Sequence, residues 1–87
     1  MKIIRISAVW CPGCIVMKNA WNKINLENIE FIDLDYDINE EECKSYDIGT
    51  KLPVTIIKED ENEIGRIIGE KSEKELKNKL KEFGVIK

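Results

Sequence analysis

Two cysteines separated by two residues are the strongest indication of chemistry in this chain. They form the turn Cys11-Pro12-Gly13-Cys14, which follows a short apolar segment and precedes a helical pattern. Cysteines at positions i and i+3 of a first helical turn can form a disulfide and reopen it with little backbone movement. At a helix N-terminus, unpaired backbone N–H groups and the helix dipole favour a thiolate on Cys11. A thiolate is the attacking species in thiol–disulfide exchange.

The cysteine pair admits three interpretations. The favoured one is a redox-active dithiol, in which Cys14 lies one turn into the helix and is the more buried thiol. A tetrahedral zinc site is disfavoured, because it takes four ligands and only Cys43 remains in a chain without His. The third interpretation is a pair without any catalytic role.

Composition excludes several other kinds of site. The 87 residues include 14 Lys and Arg against 17 Asp and Glu, a net charge of −3 without a basic block, so no nucleic-acid partner is expected. The absence of His removes every mechanism that needs an imidazole. Three cysteines cannot form a complete set of disulfides. No apolar run approaches the roughly 20 residues of a membrane span or the length of a signal peptide, so we expect a cytoplasmic protein without a membrane partner.

Hydrophobic patterns predict the elements that hold the cysteine turn. Short β-branched or alternating segments predict four strands, over residues 3–6, 29–34, 54–58 and 63–68. Because a helix separates the first two strands, they should be parallel, whereas the last two are close enough to form a hairpin. The fold class is therefore α/β, in the order β-α-β-α-β-β-α, with a mixed four-stranded sheet and helices on both faces. One domain over residues 1–87 leaves no room for a second.

Three helices are predicted from spacing and capping residues. Pro12 suits the first position of the first helix, whose apolar stripe is formed by Met17, Ala20, Trp21 and Ile24. Asn39 and Glu42 suggest the cap of a two-turn helix that carries Cys43 and Tyr46 and that Gly49 closes. The last helix is expected to start after the capping box Ser72-Glu73-Lys74-Glu75, to turn Leu76, Leu80 and Phe83 inward, and to stop at Gly84.

Three motifs together resemble the thioredoxin superfamily over nearly the whole chain, in a short form close to a small thioredoxin or glutaredoxin. Trp10-Cys11-Pro12-Gly13-Cys14 is similar to the family's Trp-Cys-x-x-Cys, with the usual Gly-Pro order reversed. Lys51-Leu52-Pro53-Val54 is similar to the loop that carries the family's cis-proline. Ile68-Gly69-Glu70-Lys71-Ser72 is similar to the glycine turn before its last helix.

The resemblance implies roles for these residues. Cys11 would be the nucleophile and Cys14 the resolving thiol. Pro53 would be cis, and the backbone of Leu52 would pair with an extended substrate segment. The substrate surface would be formed by Trp10, Pro12, Gly13, Leu52, Pro53 and Gly69. A Thr-Val-Pro loop and a Gly-Gly-x-x-Asp turn, which contact glutathione in glutaredoxins, are not found, so a protein disulfide is the expected substrate.

One position departs from the family pattern. Thioredoxins carry a buried Asp six residues before the nucleophile as a proton acceptor, and this chain has Arg5 there. The neighbouring strand, which usually offers a Lys, places Asp33 opposite. A buried Arg is costly unless it is paired, so we expect Arg5 to pair with Asp33. In this pair the basic and the acidic residue would have exchanged strands relative to the family pattern, and Asp33 would accept the proton. The alternative is that Arg5 extends to solvent and Asp33 is a surface residue.

The remaining polar and sulfur-containing residues are interpreted as structural. Cys43 on a short helix is expected in the core, with a regulatory or intermolecular disulfide as the alternative. The run Glu40-Glu41-Glu42 stands at a helix start, where the dipole favours negative charge.

The functional prediction is a monomeric thiol–disulfide oxidoreductase for electron transfer and redox homeostasis, which reduces or exchanges disulfides in partner proteins. A reductase or a small thiol would restore its dithiol, and no bound metal or organic cofactor is needed. The alternative is a thioredoxin-fold module that senses redox state or holds a metal, with little turnover.

Overall fold

A computed structural model of the protein describes residues 1–49 and 51–86, so Thr50 and Lys87 of the expected domain lie outside the described residues. It contains four strands, β1 (Lys2–Ser7), β2 (Glu30–Asp35), β3 (Val54–Glu59) and β4 (Asn62–Ile68). Three helices connect or follow them, α1 (Pro12–Asn22), α2 (Glu40–Ser45) and α3 (Glu73–Glu82). The element order is the predicted β-α-β-α-β-β-α.

The strands form one mixed sheet in the order β2-β1-β3-β4, which confirms the predicted topology. β1 and β2 are parallel and place Arg5 opposite Asp33, whereas β3 is antiparallel to both β1 and β4. Because β1 and β2 run in the same direction, the residues that follow their C-terminal ends share one edge of the sheet. The cysteine turn follows β1, so it meets the loop that follows β2 at this edge of the sheet.

Two apolar layers cover the two faces of the sheet. On one face, α1 and α3 bury Met17, Trp21 and Leu76 against Ile3 and other strand residues. On the opposite face, α2 packs Cys43, 1% exposed, against Ile4, Ile6, Leu34, Val54 and Ile56. Alternation along β1 explains both layers, since successive side chains of a strand point to opposite faces. The sheet thus supports α1 firmly at the point where the cysteine turn begins.

The helix termini follow the expected residues in part. Ser72 caps α3 by accepting a hydrogen bond from the backbone N–H of Glu75 at 3.2 Å, and Gly84, with φ of +76°, ends it. Asn39 lies at the N-cap of α2, but its side chain accepts a hydrogen bond from the N–H of Asp35 and not from its own helix. The prediction that Gly49 closes α2 is wrong, because Asp47, with φ of +53°, makes the left-handed turn two residues earlier.

No helix among the described residues is long and apolar enough to cross a membrane.

Candidate active site

The cysteine turn lies between the end of β1 and the first turn of α1. Cys11 is the N-cap of α1, and Pro12 occupies the first helical position, where a missing N–H costs no hydrogen bond. The N–H of Cys14 donates to Cys11 Sγ at 3.3 Å, so the sulfur accepts one of the hydrogen bonds that a helix N-terminus leaves open. Both the hydrogen bond and the helix dipole stabilise negative charge on Cys11.

The two cysteines belong to one buried cluster with Ala8, and both are free thiols. Burial is the main cause that raises the pKa of Cys14 to about 11; the neighbouring side chain of Cys11 adds to the shift, and the backbone of Ala8 opposes it. The arrangement therefore sets a sulfur that accepts a hydrogen bond at a helix N-terminus beside a thiol that keeps its proton at neutral pH.

The expectation that Cys14 is more buried than Cys11 is wrong. Cys11 is 5% exposed and Cys14 is 9% exposed. Both cysteines lie in one buried cluster with Ala8, against which two side chains from other loops pack, Tyr36 and Leu52. Trp10, which precedes Cys11 in the chain, is 57% exposed.

The proline loop lies beside the cysteines, as expected. The Leu52–Pro53 peptide bond is cis, which confirms the prediction. Leu52 packs against the Cys11 cluster, and Pro53 lines the same cavity as Cys14. The carbonyl of Pro53 accepts a hydrogen bond from the N–H of Gly69 at 2.8 Å, and Gly69 has φ of +86°. Three segments distant in the sequence are thus brought together around the sulfur atoms.

The tryptophan before the nucleophile is held at the surface by two contacts. Its indole N–H donates to Asp37 Oδ2 at 2.7 Å, and its ring meets Tyr36 edge-on with centroids 6.3 Å apart. Asp37 and Tyr36 follow β2, and the sequence interpretation missed them. The predicted parallel pairing of β1 and β2 could have identified these two residues, because it brings the residues after both strands to one edge of the sheet.

The predicted pair of Arg5 and Asp33 forms. Arg5 donates from Nε to Asp33 Oδ1 at 2.6 Å and from a terminal nitrogen to Oδ2 at 2.9 Å. The guanidinium also lies 4.4 Å from the ring centroid of Phe31 and 5.7 Å from that of Trp21. The side chain of Arg5 is 29% exposed and that of Asp33 is 66% exposed, so the carboxylate is also a surface group, as the alternative expected. Both residues line the cavity that Cys14 lines.

Metal binding receives no support from the described part of the chain. No group of three or more Cys, Asp or Glu side chains there could hold a metal ion. Cys43 lies on the other face of the sheet in the second apolar layer, and burial, followed by the charges of Glu42 and Asp35, raises the pKa of its thiol. The structure therefore places Cys43 in the core and apart from the cysteine pair.

The raised pKa of Cys14 predicts a pH-dependent stability of the reduced protein. A thiol whose pKa is 9.0 when unfolded and about 11 when folded stabilises the folded state below pH 9, because the folded state holds the proton more tightly. That contribution should disappear as the pH rises from 9 to 11. The free energy of unfolding in urea should therefore fall between pH 9 and pH 11 for the reduced wild type. It should fall less over the same range for Cys14→Ala, which lacks this thiol. Equal pH dependence in the two proteins would contradict this prediction.

Comparisons with known proteins agree with this geometry. The family described as Thioredoxin matches residues 1–82. Mitochondrial thioredoxin 3 from Saccharomyces cerevisiae, in its oxidised form, superposes with a TM-score of 0.81 at 25% identity, covering 93% of this chain and 76% of that one. Thioredoxin from Fasciola hepatica gives a TM-score of 0.76 at 25% identity, covering 94% and 79%.

Other solved structures share the fold at lower identity. A malaria parasite thioredoxin-2, described as a component of the protein secretion machinery, has a TM-score of 0.80 at 20% identity over 93% of this chain and 81% of its own. Among curated sequences, none matches this chain.

Proposed function

The chain belongs to the thioredoxin family, and on that premise we propose that it reduces or exchanges disulfides in partner proteins through Cys11 and Cys14. The observation that carries the proposal is the cysteine pair at the N-terminus of α1, where the N–H of Cys14 donates to Cys11 Sγ at 3.3 Å. This contact stabilises a thiolate on the residue that lies nearest to the exposed Trp10. Reduction of a partner disulfide follows from it in two steps.

In the first step, the Cys11 thiolate attacks one sulfur of the partner disulfide. The partner's S–S bond breaks, its second sulfur leaves as a thiolate, and a mixed disulfide joins Cys11 to the partner. In the second step, Cys14 loses its proton and attacks Cys11 Sγ, and the bond between Cys11 and the partner's sulfur breaks. The reduced partner leaves, and the Cys11–Cys14 disulfide remains. A reductase or a small thiol restores the dithiol, so the cycle uses no bound cofactor.

The substrate surface in this proposal consists of the side chains and backbone around Cys11. It includes Trp10, Pro12 and Gly13 from the cysteine turn, and Leu52, Pro53 and Gly69 from the proline loop and the glycine turn. Leu52 is in contact with the Cys11 cluster, so an extended segment paired with its backbone would pass over the nucleophile. We also propose that Asp33, held by Arg5, accepts the proton that Cys14 releases. The support for this proposal is that Asp33 and Cys14 line the same cavity.

Replacement of Trp10 by Ala is expected to lower kcat/KM for insulin by about tenfold, the size of effect that loss of an exposed aromatic contact typically has. The rate with a small aromatic disulfide should stay within twofold, because such a molecule needs little of this surface. Trp10→Phe is the matched control, since it keeps a ring against Tyr36 and should lose less than Ala. Equal losses with insulin and with the small disulfide would contradict a role in substrate contact.

Asp33→Asn should remove the charged half of the Arg5–Asp33 pair. The stability cost is expected to be roughly 0.5–1 kcal/mol, because the carboxylate is largely exposed. The pH profile of Cys14 alkylation should shift to lower pH, since a negative charge near the thiol is lost. Glu30→Gln on the same strand is the control, as its pair with Lys2 is longer, at 3.6 Å. An unchanged alkylation profile in Asp33→Asn would end the proton-acceptor proposal.

The direct test of the function is insulin reduction in the presence of dithiothreitol, followed by the turbidity of the precipitating B chain. The proposal expects catalytic acceleration at substoichiometric protein. The competing function, a redox-sensing or metal-binding module, expects no acceleration and stoichiometric zinc or iron in the purified protein. We propose that the protein acts as a monomer in the cytoplasm, where a reducing environment would keep Cys43 a thiol.

A further inference from the structure

The side chain of Glu70, which follows Gly69 of the glycine turn, lies against the cysteine turn. A Cβ atom on Gly13 would be 3.5 Å from Glu70 Cβ, 3.6 Å from its Cδ and 3.6 Å from its Oε2. These are ordinary van der Waals distances, and they include atoms at both ends of the side chain. The exposed Glu70 therefore lies along the turn, with its carboxylate beside Gly13.

The backbone on both sides of Glu70 is anchored. Gly69 turns the chain with φ of +86°, and its N–H donates to the carbonyl of Pro53 at 2.8 Å. Ser72 caps α3 by accepting a hydrogen bond from the N–H of Glu75 at 3.2 Å. Glu70 thus lies between a residue bound to the proline loop and the N-cap of a helix. Its place at the cysteine turn follows from the fold.

The carboxylate of Glu70 has no cationic partner in the described part of the chain. The ion pairs there use other acidic residues, and the cations that adjoin the site in sequence, Lys51 and Lys71, do not pair with Glu70. Asp37, which accepts the hydrogen bond from the indole N–H of Trp10 at 2.7 Å, also forms no ion pair with a described residue. The proposed substrate surface therefore adjoins two carboxylates without a bound countercharge.

A partner disulfide that Cys11 attacks brings its own flanking residues to this surface. In the mixed disulfide the partner's cysteine is bonded to Cys11, and each flanking residue is one Cα–Cα step of about 3.8 Å away from that cysteine. Charges closer than about 8 Å are only partly screened at physiological ionic strength. A Lys or Arg at a flanking position would be attracted to Glu70, and an Asp or Glu would be repelled.

We propose that Glu70 is a specificity-determining residue that favours partner disulfides flanked by basic residues over those flanked by acidic residues. This inference rests on the proposed function and adds a substrate class to it. Bond making and breaking stay with Cys11 and Cys14. Glu70 acts on the partner's charge, both during the encounter and in the mixed disulfide.

Two peptide disulfides of opposite charge measure this preference. Each is a symmetrical disulfide of one short peptide, with Lys on both sides of its cysteine in one substrate and Glu on both sides in the other. The pre-reduced protein is mixed with an excess of each peptide, quenched in acid at intervals, alkylated and weighed by mass spectrometry. The quantity compared is the ratio of the second-order rate constants for the Lys peptide and the Glu peptide.

Removal of the charge at position 70 should lower this ratio. Glu70→Gln should lower it by about threefold, the size of effect that one exposed charge pair has. Glu70→Lys should lower it by about tenfold, because attraction and repulsion are exchanged. In 1 M salt the ratios of the wild type and Glu70→Gln should converge, since the charges are then screened beyond about 3 Å.

Glu61→Gln is the matched control, because it removes the same charge at a distant place. Glu61 lies between β3 and β4, at the end of the hairpin where Lys58 pairs with Lys2 at the start of β1. The cysteine turn follows the other end of β1. The ratio for Glu61→Gln should stay within about 1.5-fold of the wild type.

A merely structural role of Glu70 would change the rates with both peptides by the same factor and leave their ratio unchanged. That result would overturn the proposal, as would a change in Glu61→Gln as large as the change in Glu70→Gln.

The behaviour of the wild type separates this inference from the proposed function. If the wild type reacts with both peptides and reduces insulin while the ratio is unchanged in both Glu70 variants, only the assignment of Glu70 fails. If the wild type reacts with neither peptide and does not reduce insulin, the proposed function fails and this inference fails with it.

Discussion

Replacement of Cys11 by Ser is expected to lower the rate of insulin reduction by roughly three orders of magnitude or more, because a hydroxyl stays protonated where a thiolate is required. The fold should survive, since serine oxygen can accept the hydrogen bond that the N–H of Cys14 donates to Cys11 Sγ. Turnover of insulin with dithiothreitol, corrected for the uncatalysed rate, measures the loss.

Cys43→Ala provides the matched control for the loss of one cysteine. Cys43 lies in the apolar layer between α2 and the sheet, with its Sγ 3.8 Å from the carbonyl oxygen of Asp35. The variant should lose some stability because a buried side chain is shortened, but it should keep at least half of the insulin activity. A Cys11→Ser protein as active as Cys43→Ala would contradict the assignment of the nucleophile.

Replacement of Cys14 by Ser is expected to stop the cycle at the mixed disulfide. Cys11 keeps its place at the N-cap of α1, so it still attacks. The partner then stays bound, because no thiol at position 14 displaces it. Turnover should fall by about a hundredfold or more, while the first attack on a partner disulfide keeps a rate within a few fold of the wild type.

Mass spectrometry of Cys14→Ser incubated with an oxidised protein substrate should show one partner attached through Cys11. Dithiothreitol should release it. The double variant Cys11→Ser/Cys14→Ser is the control and should form no adduct, although Cys43 is still present. An adduct on Cys43 in either variant would show that this thiol, 1% exposed in the folded protein, reacts with substrate.

Local patterns were enough to predict the sheet and the helix positions. β1 and β3 are short apolar segments bounded by polar residues, and the stripe of α1 buries Met17, Ala20 and Trp21 as its spacing predicts. The two-residue turn between β3 and β4 agrees with the short spacing of the last two predicted strands. The pairing of Arg5 with Asp33 followed from the cost of burying an unpaired guanidinium.

The surroundings of the sulfur atoms depended on tertiary contacts that local patterns do not contain. Tyr36, from the loop after β2, packs against the cluster that contains Cys11 and Cys14, and its position depends on the register of two parallel strands. Within this cluster Cys11 is only 5% exposed, although it caps a helix. The cavity that Cys14 lines likewise takes its lining from β1, α1 and β3, which are far apart in sequence.

The central claim is that Cys11 and Cys14 form and open one disulfide reversibly. Equilibration of the protein in dithiothreitol buffers of graded oxidised fraction, followed by acid quench, alkylation and peptide mass mapping, tests it most directly. The account predicts a single two-electron transition in which Cys11 and Cys14 lose their alkylation together and Cys43 stays fully alkylated. Free thiols at Cys11 and Cys14 in every buffer, or a disulfide that includes Cys43, would contradict it.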